Sequence, residues 1–145
     1  MGFTVYGLDD LMNSFGNLAE LPDAVVDEML NAQADEVVAA QKRTAGSMLT
    51  GPYTRRIVQG AVKKNSRIQR TKDGKVLYIT FEGTVYGPGR PRKGNRAAEI
   101  AFINEFGKIG QPARPFIETA NEESADGAVE KAAAIYDRHL QSIGL

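Results

Sequence analysis

Apolar positions along this chain follow a helical period at both ends and an alternating one in the middle. Phe3 to Tyr6 is a short β-prone opening that stops at Gly7. Leu8, Leu11, Met12, Phe15 and Leu18 then recur at three- and four-residue spacing, which predicts a helix headed by Asp9 and Asp10. That helix ends before Leu21-Pro22, because a residue preceding proline avoids the helical region. Pro22 suits the first turn of a second, longer helix. Its stripe is Val26, Met29, Leu30, Val37 and Ala40, with Gln33 as a polar interruption. The pattern persists to about Thr44, with Lys42-Arg43 complementing the negative helix end and Gly46 as the predicted stop.

From Met48 the chain turns basic and β-prone. Arg55 to Ala61 fits either a strand or a short helical turn. Ser66–Arg70 and Val76–Glu82 are predicted to pair as strands around Lys72-Asp73-Gly74, since Asp-Gly suits a turn whose central residues need positive φ. Leu77, Ile79 and Phe81 form one apolar face, with Tyr78 on the other. Gly83 ends this strand or bulges it, and Thr84–Tyr86 continues it. Gly87 to Gly94 holds two prolines and three glycines in eight residues, which predicts an exposed loop.

Ala97–Phe106 reads best as a helix, with Ala97, Ile100, Ile103 and Phe106 on one face and Glu99 and Glu105 projecting elsewhere, while its β-prone residues also fit a strand. Gly107 breaks the chain, and Pro115 opens the last helical segment. Val129, Ala132, Ala133, Tyr136, Leu140 and Ile143 trace its stripe up to Gly144, and Asp126-Gly127 predicts a kink or restart after a first piece ending near Glu123. Phe106 and Phe116 are the expected anchors of the turn, leaving Glu105, Lys108 and Arg114 on display. The predicted fold is α+β: a small antiparallel sheet packed with a long N-terminal helix and a C-terminal helix. It forms a single domain over residues 1–145: helical 8–45, β-rich 48–87, basic loop 87–96 and helical 97–144.

Charge adds a second pattern. Net charge is zero, yet residues 1–41 carry 8 acids and no Lys or Arg, residues 42–96 carry 14 bases and 2 acids, and residues 97–145 carry 4 bases and 8 acids. Two arrangements satisfy this sorting. Either the subunit is bipolar and meets its neighbour head-to-tail, or acidic helices pack on a basic sheet inside one subunit.

Composition narrows the chemistry. Without cysteine there is neither disulfide nor thiolate metal site, and one histidine, His139, makes no multi-histidine site. No apolar run approaches the roughly 18 residues of a membrane span. No basic-then-apolar leader opens the chain, and Tyr6 stands where myristoylation after Met1-Gly2 would need Ser or Thr. The expectation is a chain that folds in a reducing cytoplasm, binds no membrane and needs no cofactor.

Catalytic constellations are equally poor. His139 stands alone beside an amphipathic stripe and reads as an exposed or structural side chain. Glu122-Glu123 and Asp9-Asp10 are adjacent pairs that diverge on a helix and suit its ends better than general acid–base work. Gly87–Gly94 is no phosphate cradle, because Pro88 and Pro91 remove amide donors. Arg90, Arg92, Lys93 and Arg96 do make it cationic, and Lys63, Lys64, Arg67, Arg70, Lys72 and Lys75 surround the predicted hairpin. A non-specific DNA-binding module or a small oligomeric adaptor is therefore the alternative to a structural protein. Phe81 reads as core rather than as a base-stacking platform.

Four elements in series resemble the minor tail proteins of long-tailed bacteriophages and prophages, the head–tail joining or tail-completion family. They are Gly7-Leu8-Asp9-Asp10-Leu11, Thr50-Gly51-Pro52-Tyr53-Thr54-Arg55-Arg56-Ile57, Phe102 with Glu105-Phe106-Gly107, and Arg114-Pro115-Phe116-Ile117-Glu118-Thr119-Ala120. Tyr53, Arg56, Lys108 and Thr119 depart from the family's usual Leu, Ser, Thr and Pro. The resemblance implies a structural α+β protein, not an enzyme, that forms a ring, commonly hexameric, at the tail end facing the capsid. Its partners would be further copies, the connector or adaptor, and the tail terminator or tube, with DNA passing through the lumen. It would be assembled in the host cytoplasm and reside in the virion neck. On this reading Gly87–Arg96 orders against a neighbour or lines the channel, and Glu105 pairs with Arg114 across the turn or the subunit boundary.

Overall fold

Two long antiparallel helices carry the fold in the computed structural model, which describes residues 2–4, 21–85 and 95–144. Helix α1 spans Asp23–Met48 and α4 spans Phe116–Ser142. Arg138 pairs with Glu28 near the start of α1, and Thr44 Oγ1 donates to the Phe116 carbonyl at 2.7 Å near its end. Ala34, Ala40 and Ala45 on α1 and Ala120, Ala128 and Ala132 on α4 are buried, and small side chains of this kind let two helices approach closely. The first predicted helix, Arg90, Arg92 and Lys93 lie outside the described residues.

Two of the glycines expected to break helices, Gly46 and Gly127, lie inside them. Helix α1 runs through Gly46, where an added Cβ would stand 2.5 Å from Gln59 Nε2. Helix α4 runs unbroken through Gly127, where a Cβ would stand 3.1 Å from Glu36 Oε1. Each glycine marks a close approach by a neighbouring element. Gln33, the polar interruption of the stripe, is fully buried, and its side-chain amide has no hydrogen-bond partner among the described residues.

Helix α2 (Pro52–Ala61) settles the segment that fitted either strand or turn. Gly51 turns the chain at φ +87°, Pro52 occupies the first helical turn, and Val58 and Ala61 bury one face. The β-rich part therefore begins only at Val62.

Three strands form the main sheet, in the order β1 (Gly2–Thr4), β5 (Tyr78–Phe81), β2 (Val62–Lys64), all antiparallel. Phe3 faces Ile79, and Lys63 faces Thr80. The predicted pairing of 66–70 with 76–82 is thus only half right. Strands β3 (Gln69–Thr71) and β4 (Gly74–Val76) close a short hairpin, after which β5 leaves to pair elsewhere. Every β3 side chain is exposed, so the hairpin has no apolar face to cover, whereas Leu77, Ile79 and Phe81 are all buried. Among the described residues only glycines have positive φ; Gly74, at +144°, takes the unusual conformation instead of Asp73. Strand β6 (Thr84–Val85) pairs with β7 (Asn95–Arg96), so Arg96 belongs to a strand and not to the loop.

The core lies between this sheet and the helices. Met29, Leu30, Val58, Leu77, Ile79, Phe116 and Ile117 are at most 1% exposed, and Phe81 meets Phe116 edge-on with ring centres 6.0 Å apart. The α+β architecture with two long helices is as the periodicity predicts. Among the described residues, no helix is long and apolar enough to cross a membrane.

Candidate functional site

The corner between helix α3 (Ala97–Phe106) and α4 holds the third and fourth elements of the resemblance. Gly107 takes φ +79° and donates its N–H to the Ile103 carbonyl at 2.8 Å. Lys108 and Gln111 exchange backbone hydrogen bonds of 3.0 and 2.9 Å, and the small loop they close projects Ile109 fully into solvent. The Arg114 N–H then donates to the Asn104 carbonyl at 2.6 Å, which returns the chain to α3.

Helix α4 starts behind Pro115, a residue with no side chain to cap the first amide groups. Glu105 supplies the missing acceptor. Its Oε2 accepts the Ile117 N–H at 2.8 Å and its Oε1 accepts the Glu118 N–H at 3.1 Å. Burial pushes its carboxyl above the usual value, and the two N–H bonds offset part of that rise. Glu105 is only 6% exposed, so it is not a displayed charge. Both its oxygens face the helix start, and the expected pair with Arg114 is not among the ion pairs of the described residues.

Phe106 changes place with it. The buried face of α3 is Ala97, Ala101, Asn104 and Glu105, which turns Phe102 and Phe106 outward at 51% and 61% exposure. Their rings lie 4.8 Å apart, tilted by 50°. Phe116, in contrast, is fully buried as expected. The signal available in the sequence was an acid at the end of one helix, ten residues before the proline of a following helix that lacks a Ser, Thr, Asp or Asn cap.

An open groove of about 610 Å³ runs beside this corner, walled by Phe106 and Ile117 and rimmed by Glu118, Asn121, Glu122 and Ala125. On the far flank of α3, a groove of about 390 Å³ is bounded by Tyr53, Arg56 and Ile57 of α2 and by Glu82, Gly83 and Thr84. Tyr53 is 47% exposed, and Arg56, Arg96 and Lys108 are exposed too.

The charge sorting resolves largely inside the chain. All five described acids of the first block have cationic partners in the same chain: Asp23 and Asp27 meet Arg70 and Lys75, Glu28 meets Arg138, Asp35 meets Lys64, and Glu36 meets Lys131. The acids left without an ion pair among the described residues lie chiefly on the outer face of α4: Glu118, Glu122, Asp126, Glu130 and Asp137. No family model, no curated protein and no solved structure matches this chain.

Proposed function

We propose that this chain is a structural virion protein of a tailed phage or prophage that forms a ring at the head–tail junction. Further copies surround the lumen, the connector or adaptor binds one side, and the tail terminator or tube binds the other. DNA passes through without being read, and the assembled protein resides in the neck of the virion after assembly in the host cytoplasm.

The observation that carries this reading is the exposed aromatic pair Phe102 and Phe106, with Ile109 beyond it, at the corner built by two elements of the family resemblance. Two large aromatic rings packed together on a protein exterior mark a contact with another macromolecule. The nearby grooves are open and shallow, which suits a docking face better than enclosure of a small substrate.

Mass determination across a concentration range, followed by electron microscopy of the largest species, tests the reading. Closed rings are expected. A protein that stays monomeric at every concentration overturns it.

The alternative, non-specific DNA binding by the basic hairpin, has less support. Arg70 and Lys75 are engaged by Asp23 and Asp27, and Lys63 and Lys64 by Glu82 and Asp35. Retention of free duplex that falls steeply with added salt would favour that alternative instead.

A further inference from the structure

We infer that neighbouring subunits join head-to-tail, with the Tyr53–Arg56 face of α2 and Arg96 of one copy seated on the acid-rimmed apolar groove between α3 and α4 of the next. The inference rests on the ring reading and names the two surfaces that would meet.

One side of the joint is the groove beside Phe106. Its wall is apolar, through Phe106 and Ile117, and its rim carries Glu118 and Glu122. Asp126 and Glu130 continue this acidic line at four-residue spacing along exposed α4. Carboxylates spaced in this way repel one another along a helix. None of the four has an ion-pair partner among the described residues, although every described acid of α1 has one.

The other side is the α2 face. Tyr53 stands 47% exposed, and Arg56 and Arg96 are exposed cations without an ion-pair partner among the described residues. Tyr53 and Arg56 are exposed together on α2, and Arg96 pairs with Thr84 at the edge of the groove they bound, whose one acid, Glu82, is already paired with Lys63. This face matches an apolar groove with a carboxylate rim in charge. Helix α3 packs against α2 and against α4 and stands between the two surfaces. They are different patches, so each contact leaves a free groove on one subunit and a free α2 face on the other. Such a contact propagates from copy to copy and closes when the rotation permits.

Sedimentation velocity over a concentration series tests this on Arg56→Glu, Glu122→Lys and the double variant, with circular dichroism to show that each folds. Each single substitution should raise the half-assembly concentration by about tenfold or more, and the double should return within about threefold of the parent. If both single variants assemble like the parent, or the double is no better than the singles, this joint is wrong while the ring reading stands. If the parent forms only two-fold dimers, a self-complementary contact replaces the head-to-tail one. If the parent is monomeric throughout, both readings fall.

Discussion

A Cβ added to Gly107 would stand 2.9 Å from the backbone nitrogen of Ala113 and 3.0 Å from the Gln111 carbonyl oxygen. Both are main-chain atoms, and the Gln111 oxygen also accepts the Lys108 N–H, so neither can step aside as a flexible side chain could. Gly107 also has φ +79° and ψ 175°, a region open almost only to glycine. Gly107→Ala should therefore lower stability by about 2–4 kcal/mol. Gly110 provides the control: it has φ +81° but open space around it, and Gly110→Ala should cost only about 1–2 kcal/mol. Denaturant midpoints of the two variants check the difference.

Glu105 holds the start of α4, so its removal leaves two amide groups without their acceptor. Glu105→Ala should cost about 2–4 kcal/mol, and Glu105→Gln less, because an amide keeps one accepting oxygen.

The pH dependence of that site has a definite sign. Burial raises the folded-state pKa of Glu105 above the ordinary 4.5. The advantage of the native protein over Glu105→Gln is then greatest below pH 4.5 and declines as pH rises through the folded value. Unfolding curves of both proteins between acidic and neutral pH check it. An advantage that grows toward neutral pH would mean that the amide bonds outweigh burial.

Asp23 behaves oppositely. The Arg70 guanidinium, with Lys75 beside it, holds this exposed carboxyl below the ordinary 3.8. Its contribution to stability is present above that value and is lost as pH falls through the lowered one. Compared with Asp23→Asn, the native protein should lose stability more steeply on acidification, and added salt should shrink the difference.

Gly127→Ala should stabilise the protein by about 0.3–1 kcal/mol, because alanine favours the helix interior and the nearest obstacle is the mobile end of the Glu36 side chain. A lower melting temperature would show that Glu36 cannot yield without losing its pairing with Lys131.

These substitutions also mark where the sequence was legible. Alternation made Leu77, Ile79 and Phe81 readable as one buried face, because a strand's period of two depends on nothing beyond itself. Helical spacing likewise located α1, α3 and α4. The exchange between Glu105 and Phe106 was not readable from hydrophobicity. The unfilled amides of a second helix decided which side of α3 turned inward. Gly46 and Gly127 resembled stops because a glycine's role in close approach depends on a neighbour distant in sequence. Sorted charge was visible at once, but only the pairing of α1 with the hairpin and α4 showed which acids remain available.

The antiparallel pairing of α1 with α4 governs the order in which this protein acquires its structure. Thr44 and Phe116 lie 72 residues apart, and Glu28 and Arg138 lie 110 apart. On the ribosome, the side of α1 that carries Thr44 and Glu28 therefore waits for partners made several seconds later, at roughly 5–20 residues per second. Contacts between such distant residues are entropically slow to close. Until α4 is released, the nascent chain presents the α4-facing side of α1 uncovered. The yield of folded protein then depends on how well that side is shielded before its partner arrives.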